Sequence, residues 1–318
     1  MIRYRMIRNL NIEEVHVDSE EFCFEYIEST GAVQQAKTPV SIPPILFERE
    51  NRYLPIRGKN ELMRHAHKKS VVPWALLVEG FDSVLDVLLY SIEVKLETGG
   101  FSVVEKSLAL KRLYSLNQTL DERVYERLGL ARNSRVLKRF LSLTEAPADV
   151  KDMVHNGTLH ENTVFTILDL EPAYWTLAAK FISKVALGTK KRNEILVMLR
   201  EISQRDGKEL RELIESDPIQ TILNDMVMDS SHIGDKLYRN IRELRYPSIH
   251  AFNKRFNEKL REVKLDRRFQ LHTPENFERW EFKLVIPFAS YEEFKENVHL
   301  LLETGNKPAF KELMNMRY

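Results

Sequence analysis

The chain carries a single cysteine, Cys23, among 318 residues. An internal disulfide and a cysteine-rich zinc site are therefore excluded, and this usage fits a reducing compartment. An excess of either charge is also missing: 48 Lys and Arg stand against 47 Asp and Glu, a formal net charge of +1. Composition alone thus gives no ground for nucleic-acid binding, which has to rest on a local patch. No apolar run approaches the length of a membrane span, and the basic start, Met1 to Asn9, has no apolar core after it. Neither a signal peptide nor a membrane helix is expected, and the expected location is cytoplasmic, with no membrane partner. Low-complexity tracts and internal repeats are lacking too, which excludes a solenoid.

What is present is a globular composition, 43% hydrophobic and 30% charged, in a chain long enough for two or three domains. From Ile12 to Lys95 short β-like runs at Phe22–Tyr26, Pro44–Phe47 and Trp74–Val78 surround a helical stretch, Asn60–Lys69. Val84–Leu96 follows, open between helix and strand, and the whole reads as a small α/β domain over residues 1–100. After Gly99-Gly100 helical periodicity takes over, punctuated at Gly129, Pro147, Gly157, Pro172 and Gly188, with Thr119 and Asn133 as helix caps. This gives a helical domain over 101–190 and a helical connector over 191–245, where the Asn193–Ile214 helix breaks near Asp206-Gly207. A third, α+β unit spans 246–318: a helix Ser248–Val263, a strand Trp280–Phe288 and a last helix from Ser290 to Leu302. Its last helix places Phe294, Val298 and Leu301 on one side, so a unit this small gains by pairing with a copy of itself.

The most informative segment is Thr119–Leu143. A first helix, Asp121–Leu128, stops at Gly129, and a second opens at Ser134 after Asn133. On the second, Val136, Leu137, Phe140 and Leu141 share one face, while Arg135, Lys138, Arg139 and Ser142 fall on the other, with Arg132 just ahead. No Asp or Glu occurs from Ala131 to Ser142. A cationic helix face beside a turn is what a helix-turn-helix sets against a phosphate backbone and the major groove. An ordinary solvated face has the same charges, and the acid-free stretch is what favours the DNA reading. Elsewhere, His65 and His67 point in different directions on one helix, and Trp74, Trp175 and Trp280 sit in apolar contexts expected to be core. There is no Ser–His–Asp signature, P-loop or metal box, so no catalytic residue and no metal ligand are assigned.

In order along the chain, PPILFERENRYLPIRGKNELMRHAHKK, VVPWALLVEG, IEVKLETGG, FSVVEKSLALKRL, DERVYERLGL, the basic helix and APADVKDMVHNGTLHENT resemble the ParB partition-protein family. The tail FERWEFKLVIPFASYEEFKENVHLLLE is similar to that family's strand–helix dimerisation element. The resemblance implies an α+β multidomain protein: a ParB/sulfiredoxin-like α/β domain, an all-helical helix-turn-helix domain and a small C-terminal α+β dimerisation domain. It implies binding of double-stranded DNA as a nucleoid-associated homodimer, with a partition ATPase as a further partner. The DNA contacts would fall on Arg132, Asn133, Ser134, Arg135, Lys138, Arg139 and Ser142. A CTP pocket would fall on Arg57, Gly58, Lys59, Asn60, Glu61, Arg64 and Glu93.

The pocket motifs depart from the family. Its Gly-Glu-Arg-Arg box, whose arginines hold phosphates, here reads Gly58, Lys59, Asn60, Glu61. Its Glu-Asn box reads Glu93-Val94, and valine can neither orient a water nor ligate a metal. Tyr125 stands where the family places a small residue between the two helices. Weak CTP binding without hydrolysis is the expectation. Two alternatives stay open at this point: an enzyme of the same N-terminal fold, whose superfamily includes nucleases and small-molecule kinases, and an interaction module without DNA binding.

Overall fold

The computed structural model describes residues 2–29, 42–117, 120, 122–225, 227–272 and 281–316. They divide into two compact units, Met1–Val197 and Met198–Tyr318. The parts expected over 1–100 and 101–190 lie together in the first.

The first unit opens with a strand, β1 (Arg3–Leu10), where the sequence suggested only a basic start. A 3-10 turn at Ile12–Glu14, β2 (Ile45–Arg49), β3 (Arg52–Arg57), α1 (Lys59–Lys68), β4 (Val72–Glu79) and α2 (Val84–Thr98) follow. The strands form one mixed sheet in the order β1-β4-β2-β3. β1 runs antiparallel to β4, β4 parallel to β2, and β2 antiparallel to β3. The β2–β3 connection is Glu50-Asn51, with φ of 53° and 61°, the two positive values that a two-residue hairpin turn matching strand twist requires. Leu10, Ile12, Val15, Leu46, Leu62, Val72, Ala75 and Leu77 form the core on the α1 side of the sheet. The ambiguous Val84 segment is a helix, capped by the Ser83 hydroxyl, which accepts from the Asp86 N–H at 3.2 Å.

Two expectations fail here. Phe22–Tyr26 joins no strand, although Phe22, Cys23 and Phe24 are all buried. Three consecutive buried side chains break the alternation of a half-buried strand, and the Tyr26 N–H goes to a side-chain carboxylate, as described below. Trp74 is not core: it is 38% exposed on the face of β4 opposite the Ala75 and Leu77 cluster. Trp175 is buried, and its indole N–H donates to the Leu170 carbonyl at 3.0 Å, whereas Trp280 lies outside the described residues.

Helices fill the rest of the unit: α3 (Val103–Asn117), α4 (Glu122–Arg127), α5 (Ser134–Thr144), α6 (Ala148–His155), α7 (Glu161–Leu168), α8 (Trp175–Ser183) and α9 (Thr189–Asp206). Thr119 and Asp121, expected to open α4, lie outside the described residues. α4 ends at a Gly129 with φ 64°; the Gly129 N–H donates to the Glu126 carbonyl and the Leu130 N–H to the Tyr125 carbonyl. That double bond is a Schellman stop, which satisfies carbonyls the helix end would otherwise leave bare.

The second unit holds the end of α9, then α10 (Leu210–Ile214), α11 (Asp217–Leu223), α12 (Ser230–Arg245), α13 (Pro247–Val263), β5 (Gln270–His272), β6 (Lys283–Val285), α14 (Tyr291–Asn306) and α15 (Pro308–Asn315). The break near Gly207 is where the sequence put it. The strand expected over Trp280–Phe288 shrinks to Lys283–Val285, paired with β5; Pro287 has no N–H to continue a ladder. α15 was not foreseen. Its Leu313 closes a core with Phe252, Phe256 and Val263, and Phe282 stacks on Phe256 at 5.7 Å. α14 leaves Tyr291, Phe294, Val298 and Leu302 exposed, with Leu301 half-buried. No helix among the described residues is long and apolar enough to cross a membrane.

Candidate functional site

Two features of the first unit carry chemistry: a polar cleft beside the start of α1 and the outward surface of α5.

The cleft, about 710 Å³, is lined by residues from the Glu25–Tyr26 segment, the start of α1, the ends of α2 and α6, and the start of α3. Of the residues expected to form the nucleotide pocket, Arg57, Gly58, Asn60, Glu61 and Arg64 line it. Lys59 and Glu93 do not. Lys59 is buried, its ammonium 4.0 Å from Glu20, and Glu93 faces α4, where Arg127 pairs with it at 2.8 Å. Neighbouring positions on a helix point about 100° apart, which takes Lys59 away from the wall that Asn60 and Glu61 form.

Residues that sequence reasoning did not place here complete the wall: Glu25, Lys95, Ser102, Glu105 and His155. Ser102 and Glu105 are a reciprocal capping box at the start of α3: the Glu105 N–H donates to the Ser102 hydroxyl at 3.3 Å and the Ser102 N–H to the Glu105 carboxylate at 2.8 Å. The Ser-x-x-Glu spacing is a legible signal for that box. Glu105 also pairs with Lys95 at 2.7 Å and accepts the Tyr26 N–H at 3.2 Å. One buried carboxylate thus joins α2, α3 and the Tyr26 segment.

Asp152 on α6 does the same from the other side. It accepts from the Tyr26 hydroxyl at 2.7 Å, from the Ser29 N–H at 3.1 Å and from the Ser29 hydroxyl. Burial pushes its carboxyl up, but the Ser29 and Tyr26 hydrogen bonds outweigh it and hold the group below its ordinary value. The Tyr26 phenol moves up, through burial and then the Asp152 carboxylate beside it. Within the Phe22–Tyr26 run the Tyr26 N–H thus goes to the Glu105 carboxylate in place of a strand partner. Cys23 sits in the same segment, its thiol pushed up to about 12 by burial and then by the charge of Glu25, so it is not a thiolate nucleophile.

Electrostatically the cleft is balanced. Arg57, Arg64 and Lys95 line it together with Glu25, Glu61 and Glu105. The Gly58 N–H, at the start of α1, is already taken by the Glu25 carboxylate at 2.8 Å. Gly58 itself cannot be another residue without strain: φ is 85°, and an added Cβ would lie 3.0 Å from the Pro44 Cα.

The surface of α5 is less uniformly basic than its sequence. Asn133 spends its side chain as the cap, accepting from the Arg135 N–H at 2.8 Å. Arg135 and Lys138 are exposed and make no ion pair among the described residues. Arg132 is exposed but stands 3.5 Å from Glu122 of α4. Arg139 is turned inward: it is half-buried, 3.7 Å from Asp169 and 5.7 Å from the Phe165 ring centroid, which also packs edge-on against Phe140. Ser134, Lys138 and Ser142 border a shallow groove of about 520 Å³ with Leu137 and Leu141 of α5 and Lys111 and Tyr114 of α3. The acid missing from Ala131–Ser142 is supplied by other elements.

The His65 Nδ1 lies 2.9 Å from the Ser70 hydroxyl. Among the described residues no group of three His, Cys, Asp or Glu side chains could hold a metal ion.

No protein-family model and no curated protein sequence matches the chain. Among solved structures the chain is similar to the C-terminally truncated chromosome-partitioning protein ParB from Caulobacter crescentus, complexed to the centromeric parS site. The identity is 17% over 60% of this chain and 98% of that one, with a TM-score of 0.32. The same truncated protein complexed with CTP-gamma-S gives 17% identity over 55% of this chain and 98% of that one, with a TM-score of 0.22. Likenesses of this size assign no activity to the chain.

Proposed function

We propose that the chain binds double-stranded DNA as a ParB-type protein with a partition or regulatory role, through the solvent side of α5, with a nucleotide cleft that has degenerated. The observation that carries this reading is the pair of uncommitted cations, Arg135 and Lys138, on a helix that follows a glycine-stopped helix. Arg132 adds to them, because its exposed pair with Glu122 is weak and a phosphate can replace it. Ser134 and Ser142 are neutral partners for phosphate or base edges beside the same groove, whereas Arg139 supports the helix from behind. The exposed apolar side of α14 supports assembly as a homodimer, the form that reads two half-sites, and a partition ATPase is the expected protein partner.

The same reading makes CTP a weak ligand that is not hydrolysed. Glu61 lines the cleft where the family places an arginine, and Glu25 occupies the Gly58 amide. Each lost charge-assisted phosphate contact costs about 1.5–3 kcal/mol, so two losses weaken binding by roughly a hundredfold or more. Calorimetry with CTP tests this, and tight binding would overturn it.

The deciding experiment titrates labelled duplex DNA at several salt concentrations. If Arg135 and Lys138 each neutralise one phosphate, Arg135→Ala and Lys138→Ala each lower the log–log salt slope by about 0.9. Two variants that bind like the parent leave the basic face as plain solvated surface and sink the DNA assignment.

A further inference from the structure

We propose that the open edge of β1 takes up an extended acidic peptide as an added strand. β1 ends the sheet order, and among the described residues its second edge pairs with nothing. In an antiparallel ladder alternate residues of such a strand turn their N–H and C=O groups outward, and over eight residues they form a template about 27 Å long. Edges this long and exposed attract another strand unless something blunts them.

The side chains say which strand fits. Tyr4, Met6 and Arg8 share one face, opposite Val78, Leu76 and Trp74 of β4. Tyr4 is 58% exposed and Met6 54%, and with the part-exposed Trp74 they form an apolar strip along the edge. Arg3 and Arg5 project from the other face with Ile7, which packs on the core. Arg5 meets Glu79 at 3.4 Å and Glu48 at 3.6 Å, while Arg3 and Arg8 make no ion pair among the described residues.

A second copy of β1 is excluded as the occupant by this charge. Self-pairing would set six guanidinium groups along one ladder, and like charges across a strand pair are destabilising. A peptide alternating apolar and acidic residues sets carboxylates on the Arg3 and Arg5 face and apolar side chains on the other. Its apolar side chains cover Tyr4 and Met6, and its carboxylates lie beside Arg3 and Arg5.

The test uses the full chain with two fluorescent octapeptides, one alternating valine and glutamate, the other valine and lysine. Anisotropy should show the acidic peptide binding, more weakly as salt rises, and the basic one failing to bind. Hydrogen exchange should slow at alternate amides of Arg3–Leu10 when the acidic peptide is present. The double variant Arg3→Gln with Arg5→Gln should lower its affinity about tenfold. Equal binding of the two peptides, binding without slowed exchange in β1, or an unchanged affinity of the double variant would each overturn the proposal. Concentration-dependent protection of β1 in the absence of peptide would give the edge to a second copy and overturn it as well.

Discussion

Gly58 and Gly100 both line the cleft with positive φ, 85° and 79°, yet they should respond differently to alanine. A non-glycine residue in the left-handed region costs about 1–2 kcal/mol, and alanine returns about 0.4–1 by restricting the unfolded chain. At Gly100 nothing lies within 4 Å of an added Cβ, so that balance is the whole effect, about 1 kcal/mol. At Gly58 the Cβ would lie 3.0 Å from the Pro44 Cα and 3.2 Å from its Cβ. The first of these is backbone leading into β2 and cannot swing aside, so an overpacking penalty of about 1–3 kcal/mol is added. Gly58→Ala should therefore cost about 2–4 kcal/mol in all. For a unit of this size each kcal/mol lowers Tm by about 2–4 °C, which separates the two variants clearly in scanning calorimetry. Urea melts of the same pair give the free energies directly. Equal losses in the two variants would refute the steric argument, and a loss below about 1 kcal/mol at Gly58 would refute both halves of it.

Asp152→Asn should cost about 1–3 kcal/mol at neutral pH, measured by urea melts, because it weakens the bonds from Tyr26 and Ser29. The folded carboxyl sits below its ordinary value, so its contribution is full above about pH 4 and fades as pH falls through the folded value. A gap between parent and variant that is the same at pH 3 and pH 7 would contradict this. Arg139→Ala should lower stability by about 1 kcal/mol through loss of the Phe165 and Asp169 contacts, while the salt slope for DNA stays that of the parent. A changed slope would return Arg139 to the DNA face. If α14 carries the proposed homodimer contact, Phe294→Glu with Val298→Glu should lower the mass read by light scattering to that of a monomer without loss of fold, since both side chains are exposed; a parent already monomeric, or an unchanged mass, would overturn that contact.

Elements whose signals are local were legible in the sequence. The periodicity of Asn60–Lys69 and of the helix after Asn133, the glycine stop at Gly129 and the break at Gly207 all appear where the residues placed them. What failed depends on distant partners. β1 reads RYRMIRNL, three arginines among apolar residues, which looks like a basic arm until β4 pairs with it. Phe22–Tyr26 has strand composition, but Tyr26 is held by Glu105 at its N–H and by Asp152 at its hydroxyl, both remote in sequence. The helical wheel put Arg139 with Arg135 on the solvent side; only the fold brings Phe165 and Asp169 up against it. α15 did carry a local mark, Pro308 at the first helical position, where its missing N–H costs nothing. In the cleft, Gly58, Asn60 and Glu61 could be placed from their neighbours, whereas Glu25 lies in none of the family-like segments and His155 in a distant one.

The sheet order has a consequence for how the chain is made. β1 is synthesised first, but its partner β4 follows only some seventy residues later. At about 5–20 residues per second that interval lasts roughly 4–15 s, far longer than a hairpin takes to close. β2 and β3 can pair as soon as both exist, and β4 can then join β2 in parallel; β1 completes the sheet last. For those seconds Arg3–Leu10 is an unpaired strand with both edges bare. Its three arginines then guard the nascent chain, keeping neighbouring copies on one message from joining through the segment each of them leaves open longest.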